Sequence, residues 1–386
     1  MRVAFILALP EQAWLGGVSY FRNLLGALHE LPERRIEPVI AVAAGPAPAF
    51  LGEMPPFERI ALRWAAASGP RSFLRRAVRK LTGTDLLLER ELRSHRIDVL
   101  SHSGHLGGGA RLPTLAWIPD FQHLHVPENF SAHDLTVRDR FYRDQCAFAT
   151  RLIVSSHAAR EDLATFSSAA LGKSRVLQFV AAAPDPAKLP ARAALQAKYG
   201  IAGPYFFLPN QFWAHKNHAV VIEALALLKA RGLSLAVLAS GNTDDPRQPG
   251  HFARLEARVK ELGIAREFRP LGLIPHADLM GLMWHALAII NPSKFEGWST
   301  SVEEAKSLGK RAILSDIAVH REQAPPGGVY FPADDAAALA RCMQEIHAAH
   351  GDAADASLRD EARAQLPQRR RAFARQFEEI VLECAG

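Results

Sequence analysis

Short apolar runs rich in β-formers recur along this chain, each followed by a longer amphipathic or charged stretch. In the first half they are Val3 to Leu7, Pro38 to Val42, Val99 to Ser103, Thr114 to Ile118 and Leu152 to Val154; in the second, Tyr205 to Pro209, Leu235 to Ser240, Ala288 to Asn291 and Arg311 to Ser315. Continuous apolar runs of this length, separated by helical patterns, specify α/β structure with parallel sheets and crossover helices. The pattern lapses at Ala181-Ala182-Ala183-Pro184-Asp185-Pro186 and then restarts. At 386 residues the chain also exceeds what one core organises. We therefore expect a Rossmann-like domain over 1–185 and a second over 186–365. A terminal helix over 366–386, with Phe373, Phe377, Ile380 and Val381 at helical spacing, is expected to cross back to the first.

Parallel sheets of this kind bind ligands beyond the carboxyl ends of their strands. The run from Ile289 to Ala305 reads as strand, loop and helix at such an edge. Gly297 lets the chain turn, Thr300 or Ser301 can cap, and the first free amides of the helix suit an anion. Glu296 and Glu304 bracket that point, and carboxylates accept hydrogen bonds from sugar or ribose hydroxyls. A second reading needs no ligand: Ser301-Val302-Glu303-Glu304 has the form of a capping box, with Glu304 satisfying the helix start.

The blocks Phe268-Arg269-Pro270-Leu271-Gly272-Leu273-Ile274-Pro275, Asp278-Leu279, Asn291-Pro292-Ser293, Glu296-Gly297-Trp298, Glu304-Ala305, Gly309 and Ser315-Asp316-Ile317 occur in this order. In order and spacing they resemble the carboxy-terminal signature of family 4 of the retaining GT-B glycosyltransferases. The resemblance implies a GT-B fold, two Rossmann-like domains facing across a cleft. It also implies a hexosyltransferase-type enzyme that moves a sugar from a nucleotide-diphosphate donor, UDP or GDP type, to an acceptor hydroxyl in polysaccharide or glycolipid assembly. On this likeness Glu296 contacts the donor sugar and Glu304 holds the ribose hydroxyls. The loop Gly297, Trp298, Ser299, Thr300 and Ser301 borders the phosphates, and Gly272, Leu273 and Ile274 lie against the base. Gly16 and Gly17, after the first strand, look like the family's amino-terminal donor loop. Lys216 resembles the lysine that neutralises the leaving diphosphate. The family's arginine shortly upstream is replaced by Asn210 and Gln211, and Arg247 is a candidate for the missing charge.

A larger departure lies in Trp117-Ile118-Pro119-Asp120-Phe121-Gln122-His123. Family members commonly place a His-Asp pair here; this chain keeps Asp120 but has Pro119, which offers no side-chain donor. His123 is the candidate replacement, and Asp120, His123, Lys216 and Glu296 form the expected catalytic set. Two other readings share these residues: a sugar-nucleotide epimerase of the same fold, and a non-catalytic relative that binds nucleotide sugars.

The net charge of +6 comes with no nucleic-acid motif, so no nucleic-acid partner is expected. Three scattered cysteines suggest neither a disulfide framework nor a zinc site. The pairs His102 and His105, His123 and His125, and His215 and His218 lack further ligands at a metal-binding spacing, so no obligatory metal or other cofactor is expected. Apolar runs are too short for a signal peptide or a membrane span, which predicts a cytoplasmic protein. The segment from Arg71 to Leu81 interleaves Arg71, Arg75, Arg76, Arg79 and Lys80 with Phe73, Leu74, Ala77, Val78 and Leu81. Such a helix ordinarily packs its apolar face and solvates its charged one. It can also lie on an anionic membrane, which would bring the enzyme to a lipid-linked saccharide acceptor at the inner face.

Overall fold

The computed structural model describes residues 1–7, 15–45, 49–66, 68–349 and 352–385. The chain forms two compact units. One comprises Met1–Phe121, His133–Val180 and Gln368–Gly386; the other comprises Gln122–Ala132 and Ala181–Pro367. The segment Gln122–Ala132 thus groups with the second unit, although its position in the sequence assigned it to the first.

The first unit is built on a seven-stranded parallel sheet. Its strands are β1 (Arg2–Ile6), β2 (Glu37–Ala43), β3 (Glu58–Leu62), β4 (Val99–Ser101), β5 (Thr114–Ile118), β6 (Arg151–Val154) and β7 (Ser174–Val176), in the order β3-β2-β1-β4-β5-β6-β7. The second has a six-stranded parallel sheet of β8 (Tyr205–Leu208), β9 (Ala236–Ser240), β10 (Phe268–Gly272), β11 (Ile289–Asn291), β12 (Ala312–Ser315) and β13 (Gly328–Phe331), in the order β10-β9-β8-β11-β12-β13. Each sheet winds outward in both directions from its first strand. The reversal lies between β1 and β4 in one and between β8 and β11 in the other, which are the points where such sheets open a crevice.

Interior strands are apolar on both faces because helices cover both. Along β8, Phe206 and Leu208 enter one core with Ile290 and Ile313, while Tyr205 and Phe207 enter the other with Ile289 and Leu314. Phe206 and Phe207 are wholly buried, each contributing roughly 1.5–3 kcal/mol relative to exposure. The four strands absent from the sequence reading, β3, β7, β10 and β13, are the edges of the two sheets.

Helix Asp352–Ala385 belongs to both units, with Pro367 inside it at the division. In the second unit its start is held by Asp355, which pairs with Lys310 at 2.8 Å and Arg311 at 3.2 Å. In the first unit Phe373, Phe377, Ile380 and Val381 are all buried. There Glu378, almost fully enclosed, accepts hydrogen bonds from the backbone amides of Arg35 and Ile36 and from the Arg35 guanidinium.

Candidate functional site

The second unit's crevice is lined by the loops that follow β8 and β11, which are adjacent parallel strands. Lys216 comes from the first of these loops and Glu296 from the second. Their side chains meet with Lys216 Nζ 2.7 Å from Glu296 Oε1, at 14% and 8% exposure. Ser293 Oγ donates to the same carboxylate oxygen at 2.7 Å. Burial alone would raise the Glu296 carboxyl; the Lys216 ammonium, aided by His320 and the hydrogen bonds from Lys216 and Ser293, outweighs it and holds the pKa at about 2. The carboxylate is therefore charged at neutral pH. One of the three N–H bonds of Lys216 is directed to it, leaving the others for a second anion.

Asn291, the last residue of β11, organises the surroundings. It is fully buried. Its amide NH2 lies 2.8 Å from Ser299 Oγ, 3.4 Å from Ser301 Oγ and 3.5 Å from Glu296 Oε1. Its carbonyl oxygen accepts from Asn210 Nδ2 at 3.1 Å and lies 2.7 Å from Ser293 Oγ. Asn210 follows β8, so this amide pair spans the reversal point of the sheet. Gln211 turns elsewhere and accepts from the Asn242 amide at 2.7 Å.

The helix Thr300–Leu308 is capped by Ser299, whose hydroxyl accepts from the Val302 amide. Gln323 accepts from the Ser299 amide and donates to the Ser299 carbonyl. The capping-box reading of Ser301 to Glu304 is therefore incorrect. With Ser299 at the cap the reciprocal position is Val302, which has no carboxylate, and Glu304 takes no part in the helix start. Glu304 instead lies 3.7 Å from His276, at 10% exposure. The cap leaves over the amides of Thr300 and Ser301, at the positive end of the helix dipole.

Three histidines surround this centre in neutral form. Burial pushes His215 well below its ordinary value, with Lys216 and Arg247 adding to the shift and Glu296 opposing it. His218, stacked on Phe212 at 4.3 Å, falls to about 3 mainly through burial. His320 is lowered by burial against the pull of Glu296. Its Nδ1 carries the proton, because it lies 2.9 Å from the Ser315 carbonyl, which can only accept.

The segment Gln122–Ala132 packs onto this same unit. His125 stacks on Phe295, the neighbour of Glu296, with centroids 5.0 Å apart. Arg247 Nη1 donates to Gln122 Oε1 at 3.0 Å while its guanidinium lies over Phe130 and Trp213. Asp245 fixes the arginine from its other side at 3.4 Å. Arg247 is thus the cation that pins the His123-bearing segment beside the loop of Lys216. Arg247→Ala is expected to speed amide exchange across 122–132 by at least about tenfold, since a charge-assisted hydrogen bond and two ring contacts are lost. Unchanged exchange by mass spectrometry would remove that role.

The remaining candidates are dispersed. Gly272 ends β10 with φ +67° and accepts from the Gly241 amide at 3.0 Å. Leu273 beside it is 62% exposed, and Ile274 leans on the core. Trp298 and Gly297 are half-buried in the Glu296 loop. Gly16 and Gly17 fall within the helix Leu15–Glu30, and a Cβ at Gly16 would meet open space. Residues 8–14 of that loop lie outside the described residues. Asp120 is in the first unit, 3.2 Å from Arg138, whereas His123 is buried in the second. Asn291, Ser293 and His320 were not singled out from sequence. Asn291-Pro292-Ser293 at a strand end carried a signal, but His320 carried none. Among the described residues no cluster of three His, Cys, Asp or Glu side chains could hold a metal ion.

Comparison with known proteins bears on both the fold and the site. The structure is similar to a glycosyltransferase from Rickettsia africae ESF-5, with TM-score 0.71 at 17% identity over 99% of this chain and 98% of that one. It is likewise similar to Anabaena HepE in complex with UDP and glucose, with TM-score 0.68 at 18% identity over 99% of each chain. The fold is thus the two-sheet α/β architecture of GT-B glycosyltransferases. In sequence the chain is 29% identical over 160 residues to the glycogen synthase of Acidiphilium cryptum (strain JF-5), a match covering 41% of this chain and 28% of that protein. Residues 193–364, the stretch that carries Lys216, Asn291, Glu296 and the capped helix, match the model of the family Glycosyl transferases group 1.

Proposed function

We propose that the protein is a retaining, family 4 glycosyltransferase that moves a hexose from a UDP- or GDP-sugar to a hydroxyl of a saccharide or lipid-linked saccharide, in polysaccharide or glycolipid assembly. The observation that carries this reading is the enclosed Lys216–Glu296 pair at the reversal point of the sheet. The family match over the same residues supports it. As the bond from the anomeric carbon to the diphosphate breaks, negative charge grows on the leaving phosphate. A fixed ammonium and helix amides stabilise that charge where it develops. Glu296, charged and held by Ser293 and Lys216, accepts hydrogen bonds from the sugar hydroxyls. Glu304, outside the cap, is available to the ribose, and exposed Leu273 to the base. Arg247, in place of an arginine near Asn210, acts by holding the segment of His123.

A uridine nucleotide is the first to try, since Anabaena HepE was solved with UDP-glucose. At a hundredfold excess over Kd, UDP or GDP should stabilise the folded protein by about 2.7 kcal/mol. That is roughly 5–10 °C in melting temperature for a unit of this size. Incubation with donor and acceptor should then release nucleotide and give a product of unchanged anomeric configuration by NMR. No shift with any nucleotide diphosphate sinks the reading. Isomerised donor without release would instead indicate an epimerase, and binding without turnover a non-catalytic relative.

A further inference from the structure

The helix Pro70–Thr82 of the first unit is turned inside out. At about 100° per residue, Ser72, Arg75 and Arg79 share one face, and Phe73, Leu74, Ala77 and Leu81 share the opposite one. An amphipathic helix at a protein surface ordinarily buries the second kind of face. Here the polar face is inward: Ser72 is buried, Arg75 makes a bidentate pair with Asp85 and donates to the Trp64 carbonyl at 2.7 Å, and Arg79 lies 3.2 Å from His105. The apolar face is outward, with Phe73 72%, Leu74 49% and Leu81 87% exposed. The expectation that this helix packs its apolar side is therefore reversed.

Charge accompanies the exposed stripe. Arg76 and Lys80 flank it on one side and Arg71 on the other, and the helix has no acidic residue. Among the described residues no carboxylate pairs with these three cations.

We propose that this face docks the first unit onto an anionic lipid bilayer. Phe73, Leu74 and Leu81 enter the boundary between headgroups and acyl chains, while Arg71, Arg76 and Lys80 meet headgroup phosphates. Large apolar side chains ringed by long, uncompensated cations fit a layered partner that is oily within and negative at its rim. A protein partner would have to supply a matching acidic ring around an apolar groove. The inference is independent of the transferase reading, because it concerns a surface of the first unit and is tested without nucleotide.

The test is cosedimentation of the whole protein with phosphatidylcholine vesicles, with and without phosphatidylglycerol, at low and high salt. The protein should bind only the anionic vesicles and come off with salt. Arg71→Gln, Arg76→Gln and Lys80→Gln together should weaken binding about a hundredfold, at roughly fivefold per surface cation. Phe73→Ser with Leu81→Ser should weaken it more than about tenfold while leaving the melting temperature and circular dichroism unchanged, since both side chains are exposed. Absence of binding to anionic vesicles at low salt overturns the proposal, as does binding that survives both sets of changes. Light scattering that shows a dimer split by the serine variant also overturns it, assigning the stripe to a second copy of this chain.

Discussion

Lys216→Ala should reduce sugar transfer by two to three orders of magnitude, the loss of about 10²–10³ typical when a preorganised group facing a developing anion is removed. The same change should destabilise the second unit by about 3–5 kcal/mol, because it leaves the Glu296 carboxylate enclosed without its counter-charge. The Glu296 pKa should rise from about 2 as a result. Folding and chemistry are separated by the double variant Lys216→Met, Glu296→Gln, which removes both charges at once. A buried pair replaced as a pair is often close to neutral for stability, so unfolding in urea should return to near the parent while transfer stays at least about a hundredfold down. Full activity in a folded Lys216→Ala protein would refute the assignment. Failure of the double variant to recover stability would show that the pair is held by more than mutual neutralisation.

Acid is expected to unfold this protein through its histidines before it reaches its carboxylates. His102, lowered to about 3 by burial, and His215, His218 and His320 all stay neutral in the folded state. Below pH 6.5 the unfolded chain takes up protons that the folded chain refuses, so stability falls as pH falls. The cost is up to about 1.4 kcal/mol per pH unit for each histidine. Three of the four lie in the second unit, so the loss falls mainly there, against a total stability of about 5–15 kcal/mol. Glu296 acts in the same direction but only between its ordinary value of 4.5 and about 2, after the histidines have already had their effect. On acidification the second unit should therefore unfold before the first. His218→Gln should shallow the pH dependence of its urea unfolding by about one proton. A flat profile between pH 7 and 5 would mean that these imidazoles are not enclosed.

How much of this was legible beforehand depends on where each residue sits in its sheet. Interior strands such as β5, β8 and β12 announce themselves because both faces are covered and nearly every position is apolar. The edge strands β3, β7, β10 and β13 are paired on one side only and carry Glu58, Arg59, Ser174, Arg175, Arg269, Pro270 and Gly328, a composition that reads as loop. The site divides along similar lines. Lys216 and Glu296 stand in loops directly after strong strands, so their proximity follows from strand order once β8 and β11 are neighbours. Glu304 misled, because a capping pattern fits the sequence two residues on from the true cap at Ser299. The placement of Gln122–Ala132 on the second unit could not be read locally at all. It rests on contacts such as Arg247 to Gln122, 125 residues apart in the chain.

The long helix that ends the chain has a consequence for the order in which the protein can be assembled as it is made. The first unit holds every strand of its sheet before residue 180, yet Phe373, Phe377, Ile380 and Val381 belong to its interior. Its apolar surface therefore stays uncovered until these residues, made after the second unit, emerge from the ribosome. The second unit needs nothing beyond Pro367 and can close earlier. The half whose sequence comes first is the half that is finished last.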